Sequence, residues 1–213
     1  FRNFARAYFA RAGLTTVFMS KLDPGLSGQS GHFHVSLQRD GAPVFHDPDA
    51  PDGLSQDARH FIGGLLRLMP ERLVPGAWAP TWASWGVQNR TAAVRIINDS
   101  PEATRVEFRV PSADSNPHAG MAMCLAAGLW GIENEVDPGQ PLDGSAYEVT
   151  PVPETRFPRD LVEAADRLEA SDTARTLFGD AFVDHFVLSR RHEVKDYLRQ
   201  VTDWEIRRYL ELF

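Results

Sequence analysis

Polar side chains recur at every second position in two short segments, HFHVSL at residues 32–37 and RVEFRV at residues 105–110. In an extended strand, this period of two puts the polar residues on one face and the apolar residues on the other. The polar set consists of His32, His34, Ser36, Arg105, Glu107 and Arg109. Neutral imidazole and carboxylate groups bind divalent cations, whereas guanidinium groups suit phosphate and carboxylate oxygens. Together the two segments indicate nucleotide chemistry with a metal.

The same alternation is typical of an ordinary strand with one face in solvent, so neither segment alone decides between the two interpretations. The segment NRTAAVR, residues 89–95, favours the functional interpretation because it adds two more guanidinium groups between the two strands. Arg95 fits a strand face. Arg90 has the opposite parity, so we expect it to project from the loop that enters the strand.

Composition limits the class of protein. The 213 residues carry a formal net charge of −7, and the arginines are dispersed among apolar residues, which argues against a nucleic-acid surface. Cys124 is the only cysteine, so no disulfide framework and no cysteine-based zinc site is expected, and a reducing, cytoplasmic location is favoured. The longest apolar stretch, residues 121–132, is too short to span a membrane.

We predict an α+β fold, a curved, mostly antiparallel sheet backed by helices with a helical C-terminal region. The presence of both strand and helix periodicities along the chain supports the class. Besides the two alternating segments, a strand is expected at 15–20 and a hairpin at Asp40-Gly41. Residues 70–85, with three prolines and three tryptophans, are expected to form a loop, either as plain packing or as a pocket wall. Helices are predicted at 1–12, from a cap at Ser55 or Asp57 to about 69, from Asn116-Pro117 to about 130 with burial nearly all round, and at 159–169, 173–178, 181–188, 191–200 and from 202.

Residues 1–135 are predicted to form a core of sheet and helices that carries the polar strand faces. Residues 136–213 are predicted to form a linker and a C-terminal helical region of the same domain.

Several motifs, taken in order, resemble the catalytic domain of the glutamine synthetase family. They are GHFHVSL, FIGGLL, RLVPGAWAP, WGVQNRTAAVR, RVEFRVPSADSNP, LAAGLWGIE and the terminal VTDWEIRRYLE, and they span essentially the whole chain. The resemblance implies an ATP-dependent ligase that phosphorylates the γ-carboxylate of glutamate and lets an amine displace the phosphate. It also implies a homo-oligomer, a dodecamer of stacked hexameric rings, with sites between neighbouring subunits.

The resemblance also implies roles for individual residues of this sequence. A Mg or Mn ion that bridges the ATP phosphates would be bound by His32 and Glu107, and the nucleotide by His34, Ser36, Arg90, Arg95 and Arg105. Glutamate or the acyl phosphate would be bound by Gly28, Arg72 and Arg109. The catalytic positions would be Arg90, Arg109 and Trp78. Bidentate geometry explains why arginine rather than lysine serves such anions.

The chain departs from the family pattern at three places. The family's other metal site uses glutamates upstream of Phe1, so we expect this chain to hold part of an active site. The family has a longer stretch before the arginine of RLVPG, so either a loop is shorter between Glu71 and Arg72 or residues are absent there. Trp78, in GAWAP, stands where ammonia-using members carry glutamate. Indole cannot accept a proton from ammonium, but it can pack on an alkyl chain or attract a substituted ammonium.

These departures favour a γ-glutamyl-amine ligase similar to the γ-glutamyl-polyamine and γ-glutamylamide synthetases of the family. An ordinary glutamine synthetase that uses ammonia and a non-catalytic, structural family member are the alternatives. The sequence does not name the amine. Tyr147 lies roughly where some bacterial members carry a nucleotidylated tyrosine, but its surroundings, SAYEV, indicate an exposed linker residue instead.

Overall fold

A computed structural model describes residues 1–23, 25–69 and 81–212 of the protein. Contacts within the chain divide it into two compact units, one reaching to Phe157 and the other beginning at Pro158. The predicted division of one domain into a core at residues 1–135 and a linker with a helical region at residues 136–213 stays a prediction. None of the helices in the described ranges combines the length and the apolar character that a membrane span needs.

A four-stranded sheet forms the centre of the first unit. Its strands are β1 (Phe33–Val35), β4 (Trp85–Val87), β5 (Val94–Ile97) and β6 (Arg105–Phe108), in the spatial order β1-β6-β5-β4. β1 and β5 both pair with β6 in antiparallel fashion, whereas β4 pairs with β5 in parallel. With two of three pairings antiparallel and helices on the same chain, the predicted α+β class is confirmed.

The register of the sheet follows the alternation of the sequence. Val94, Ile96, Val106 and Phe108 are buried, as a period of two predicts for the core face. On the other face, Glu107 of β6 lies directly opposite His34 of β1 and Arg95 of β5. The polar row therefore crosses three strands at one level.

A small hairpin follows β1, with strands β2 (Gln38–Arg39) and β3 (Ala42–Pro43). Asp40 has φ 54° and Gly41 has φ 81°, so both central residues of the turn have positive φ. Two positive φ values are what a two-residue type I′ turn requires, and they match the twist of the flanking strands. The predicted hairpin is confirmed.

Two helices of the first unit pack against each other through glycines. They are α2 (Gln56–Leu68), capped by the Ser55 hydroxyl, and α3 (Pro117–Glu133), capped by the Asn116 side chain, as predicted. A Cβ on Gly64 would overlap the carbonyl oxygen of Ala127, and a Cβ on Gly128 would overlap the Phe61 ring. The backbones approach this closely only because both positions lack a side chain.

The prediction that α3 is buried nearly all round is wrong. Met123 is 4% exposed and Cys124 is fully buried, but Met121, Leu125 and Leu129 are 44%, 40% and 45% exposed. The three exposed residues recur every fourth position and therefore lie on one face. In the described ranges, α2 and the Phe33 ring cover only the other side of the helix.

Three further expectations for the first unit need correction. Residues 15–20 form no strand in the part of the chain that the structure describes. At the end of this segment the backbone of Ser20 bonds to loops instead of to a strand. Its N–H donates to Asp114 Oδ2 at 3.2 Å, and its carbonyl accepts from Gln29 N. Trp85, predicted to lie in a loop, opens β4, and its indole is 2% exposed. Helix α1 (Arg2–Ala10) ends two residues before the predicted limit at residue 12, and Gly13 follows with φ 72°.

The second unit is helical, as predicted. It contains α4 (Leu161–Glu169), α5 (Asp172–Phe178), α6 (Asp180–Tyr197) and α7 (Asp203–Tyr209), around a small core of Ala165, Leu168, Ala174, Val183 and Val187. The two helices predicted at 181–188 and 191–200 form the single helix α6. The hydroxyl of the intervening Ser189 donates a hydrogen bond to the Phe186 carbonyl, so this polar residue does not break the helix. The capping box from Thr202 to Glu205 is confirmed.

Candidate active site on the polar face of the sheet

Glu107 is the centre of the candidate site. Its side chain is 4% exposed. Oε1 lies 2.7 Å from Arg109 Nη1 and 2.8 Å from His32 Nδ1. Oε2 accepts a hydrogen bond from Arg95 Nη1 at 3.1 Å. A buried carboxylate is stable only when such partners compensate its charge. Glu107 is therefore the most strongly constrained polar side chain of the described sheet.

Three strands bring these groups together. His32 immediately precedes β1, Glu107 is in β6, Arg109 immediately follows β6, and Arg95 is in β5. The parity of the sequence predicts a common face for all four, and the structure brings His32 and Glu107 within 2.8 Å of each other. The roles that the family resemblance gives them stay predictions.

The electrostatics of the cluster fix two charge states. Burial tends to raise the pKa of Glu107, but Arg109, His32 and Arg95 together hold that pKa below its ordinary value. Burial, followed by the nearby Arg109 charge, lowers the pKa of His32, and Glu107 only partly offsets this. At neutral pH the site therefore presents an ionised carboxylate beside a neutral imidazole, and both are groups that can donate an electron pair to a divalent cation.

The two central arginines keep donors that the described residues do not use. The Nε atoms of Arg95 and Arg109 are buried and have no hydrogen-bond partner in the described ranges. Buried N–H groups of guanidinium are costly to leave unpaired, and they suit phosphate or carboxylate oxygens. Each of these two guanidinium groups thus keeps an unsatisfied donor next to Glu107.

His34 and Arg105 form the outer part of the polar face. Arg105 Nε donates to His34 Nδ1 at 3.2 Å, and Arg105 Nη1 donates to the Ala103 carbonyl at 2.7 Å. The His34 side chain is 45% exposed, and its Nε2 lies 3.9 Å from Glu107 Oε1. Ser36 is exposed just beyond β1. His34 and Ser36 are thus exposed, in contrast to the buried Glu107.

The remaining predicted residues lie elsewhere. Arg90 is exposed in the turn before β5, as its parity predicts, and the contacts described around Glu107 do not include it. Gly28 lies in the loop between Ser20 and Ser30, which a bridge between Ser30 and Ser112 ties to the chain after β6. Arg72 and Trp78 lie outside the described residues.

Sequence reasoning missed two residues that contact the cluster. Ser30 Oγ lies 2.7 Å from His32 Nε2, so the imidazole is held from both sides. Gln88 Oε1 accepts from Arg95 Nη2 at 2.8 Å. Ser30 shares the parity of His32, which was a usable signal. The contact of Gln88 depends on the parallel pairing of β4 with β5, which no local pattern reveals.

The cluster is suited to a cation but is not a complete cation site. His32 and Glu107 supply one nitrogen and one oxygen donor close together. In the ranges that the structure describes, no group of three or more His, Cys, Asp or Glu side chains is arranged to hold a metal ion. Mg²⁺ commonly uses one or two protein ligands together with water and substrate phosphates, so two donors fit a cation shared with a nucleotide.

Comparison with known proteins identifies the relatives of this chain. A family profile described as the glutamine synthetase catalytic domain matches residues 1–209. Glutamate–isopropylamine ligase of Pseudomonas sp. is 36% identical, over 99% of this chain and 49% of that protein. Type-1 glutamine synthetase 2 of Dictyostelium discoideum is 38% identical, over 100% of this chain and 44% of that protein. The chain spans about half the length of the curated relatives it matches.

Solved structures agree with the sequence relatives. A ligand-free structure of GmaS has a TM-score of 0.83 at 33% identity and covers 99% of this chain and 51% of that chain. A complex of GmaS with ADP has a TM-score of 0.84 at 35% identity and covers 98% of this chain and 52% of that chain.

Proposed function

Because the chain belongs to the glutamine synthetase family, we propose that the protein is an ATP-dependent ligase that joins the γ-carboxylate of glutamate to an amine. The observation that carries this proposal is the buried Glu107 carboxylate with His32, Arg95 and Arg109 around it. In the proposed reaction a γ-carboxylate oxygen of glutamate attacks the terminal phosphorus of ATP and ADP leaves. The amine nitrogen then attacks the acyl carbon, phosphate leaves, and the nitrogen loses a proton.

His32 and Glu107 are the residues proposed to hold a divalent cation, Mg or Mn, beside the nucleotide. Their donor atoms are 2.8 Å apart, and the imidazole is neutral at pH 7 because burial lowers its pKa. When bound, such a cation neutralises negative charge on the phosphates during transfer. His34 and Ser36, at the exposed end of the same face, are proposed to lie near the nucleotide.

The arginines are proposed to bind the anions. Arg95 and Arg105 project from neighbouring strands, and the unused Nε–H of Arg95 supports a phosphate contact. Arg90, exposed in the turn before β5, is proposed to reach the transferred phosphoryl group. Arg109, held by Glu107 and with its own unused Nε–H, is proposed to bind glutamate or the acyl phosphate. Guanidinium stabilises the charge that develops on phosphate oxygens without moving a proton.

The nucleophile is proposed to be an alkylamine rather than ammonia. Trp78 replaces the carboxylate that ammonia-using members carry, and Gly28 and Arg72 are proposed to complete the glutamate site. A relative that covers 99% of this chain is named glutamate–isopropylamine ligase, which supports the same choice.

Ordinary glutamine synthesis is the second candidate. The glutamine synthetase of Dictyostelium discoideum is 38% identical to this chain, slightly more than the isopropylamine ligase at 36%. Overall identity therefore does not separate the two activities, and the choice rests on Trp78.

A substrate screen tests the proposal. Full-length protein is incubated with ATP, glutamate, Mg²⁺ or Mn²⁺ and a panel of ammonia, methylamine, isopropylamine, ethanolamine and polyamines, and released phosphate is measured. We expect phosphate release that requires ATP, glutamate and one class of amine together. The His32→Ala variant should release no phosphate. No release with any amine or with ammonia, in folded protein, would contradict the proposal and favour a structural family member.

We also propose that the protein acts as a homo-oligomer of stacked hexameric rings, as the resemblance implies, and that it is cytoplasmic, as its single cysteine favours. Mass photometry of the full-length protein measures the number of subunits directly. A monomer that is fully active would contradict sites shared between subunits.

A further inference from the structure

Gln88 immediately follows β4 and is exposed, and its side chain contacts Arg95 of the candidate site. We propose that Gln88 is a positioning residue that holds the Arg95 guanidinium in the orientation that binds nucleotide phosphate; this inference rests on the proposed function. Its Oε1 accepts from Arg95 Nη2 at 2.8 Å. On the other side of the same guanidinium, Nη1 donates to Glu107 Oε2 at 3.1 Å.

The backbone of Gln88 supports a specific role. Its φ is 52°, in the left-handed region that residues with a side chain rarely adopt. The peptide is held there because its N–H donates to the Ile96 carbonyl at 2.8 Å, one residue along β5 from Arg95. Strained backbone of this kind persists where the surroundings fix it, and it often places a functional group.

The orientation of the Gln88 amide is also fixed. Its Nε2 donates to Asp99 Oδ1 at 2.9 Å. An ionised carboxylate only accepts hydrogen bonds, so the amide nitrogen must face Asp99 and the amide oxygen must face Arg95. Asp99 thereby selects the amide orientation that accepts from guanidinium.

The two contacts hold both terminal nitrogens of Arg95. With Glu107 alone, the guanidinium could pivot about one hydrogen bond. With Gln88 as well, its plane is set before ligand arrives, and its buried Nε–H has no partner among the described residues. A preorganised donor loses less side-chain freedom when an anion binds. Gln88 therefore acts on nucleotide affinity through Arg95 and does not touch the reacting atoms.

The test measures ADP affinity of full-length protein by calorimetry. Gln88→Asn tolerates the left-handed backbone but is one methylene too short to reach Arg95. Gln88→Gly removes the side chain and the backbone strain together. Gln38→Asn makes the same chemical change on the exposed hairpin strand β2 and is the matched control. Arg95→Ala reports the contribution of the guanidinium itself.

We expect Gln88→Asn and Gln88→Gly to weaken ADP binding about two- to tenfold, the cost of ordering one long side chain that is no longer held in place before the ligand binds. Gln38→Asn should bind ADP like the wild type. The melting temperature of Gln88→Gly should stay close to that of the wild type, because relief of the left-handed backbone offsets part of the loss of two exposed side-chain hydrogen bonds. A loss of affinity without a loss of stability is the signature of positioning.

Three outcomes would overturn the inference, and they differ from one another. If Arg95→Ala weakens ADP binding but both Gln88 variants bind like the wild type, the inference is wrong and the proposed function stands. If the Gln88 variants lose affinity only together with thermal stability, the role of Gln88 is structural. If wild-type protein does not bind ADP at all, the proposed function fails and the inference fails with it.

Discussion

Glu107 balances more charge than any other residue of the described sheet. Two guanidinium groups and an imidazole lie within hydrogen-bonding distance of its two oxygens, while its side chain is only 4% exposed. The carboxylate therefore does two things at once. It is proposed to bind a cation, and it supplies the negative charge that compensates Arg95 and Arg109. Removing it should affect the fold as well as the chemistry.

Glu107→Gln keeps the shape of the side chain and removes its charge. We expect this change to lower the free energy of unfolding by about 3 kcal/mol, because two largely buried guanidinium groups lose their counter-ion. Urea unfolding of wild type and variant measures the difference. Glu133→Gln, at the exposed end of α3, is the matched control and should change stability by less than about 0.5 kcal/mol. Equal stability of wild type and Glu107→Gln would show that the arginines find other partners.

Trp78 carries the prediction on amine choice. An indole offers apolar contact and attraction to a substituted ammonium but no proton acceptor, so we expect the wild type to prefer an alkylamine over ammonia. The contact alone provides roughly tenfold discrimination. Trp78→Glu should shift the preference towards ammonia. The measurement is the ratio of kcat/KM for ammonia and for the best amine in both proteins, with Trp78→Phe as the control that keeps an aromatic face. A wild type that uses ammonia as well as any amine would favour ordinary glutamine synthesis.

At the scale of elements, the contact of α2 with α3 depends on glycines. We expect Gly64→Ala to lower the free energy of unfolding by about 3 kcal/mol, because the new methyl group would overlap the carbonyl oxygen of Ala127 and the backbone of Gly131. Thermal and urea unfolding measure this. Gly25→Ala is the control, since its Cβ would meet only the flexible Asp23 carboxylate, at 3.2 Å. Near-equal loss in the two variants would indicate a general cost of replacing glycine.

Helix α4 contains a partly exposed carboxylate, Glu163, whose pKa is strongly shifted. A hydrogen bond from the backbone N–H of Arg159, followed by the Arg167 and Arg159 side chains, lowers the pKa of Glu163 from 4.5 to about 2. Because the folded chain binds this proton less readily, ionised Glu163 stabilises the fold above pH 4.5, and this contribution disappears as the pH falls towards 2.

Glu163→Gln should therefore unfold at lower urea concentration than the wild type at pH 7, and the difference should shrink steadily below pH 4.5. High salt should reduce it as well, since these ion pairs face solvent. Glu154→Gln, in the 3₁₀ turn at Pro153–Thr155, is the control. A difference that stays constant from pH 7 to pH 3 would show that the effect is not due to the charge of Glu163.

Local patterns predicted some elements and missed others for physical reasons. The alternation around His32 and Glu107 predicted their shared face because a strand fixes side-chain direction residue by residue. The helix caps at Ser55 and Asn116 were equally local. Residues 15–20 have strand composition, but a strand also needs a pairing partner that composition does not reveal. The contact of Gln88 with Arg95 likewise depends on register between strands.

At the scale of the whole molecule, the chain is about half as long as its curated relatives, and its described residues give two donors for a cation. We expect a polypeptide of residues 1–213 alone to release no phosphate from ATP with glutamate and amine. It should also self-associate, because the outer edge of β1 has no partner strand in the described ranges. Full-length protein is the positive control, and size-exclusion chromatography reports association. Turnover by the isolated polypeptide would show that two protein donors suffice.

The row of His34, Glu107 and Arg95 across three neighbouring strands constrains how this sequence can change. Two of its members, Glu107 and Arg95, compensate each other's charge, so the effects of substitutions at these two positions are not independent. A neutral residue in place of Glu107 leaves Arg95 without compensation, whereas the same replacement made after Arg95 has changed meets less resistance. The order in which mutations arise therefore decides which of them survive, and the two residues should be inherited, or lost, as a pair.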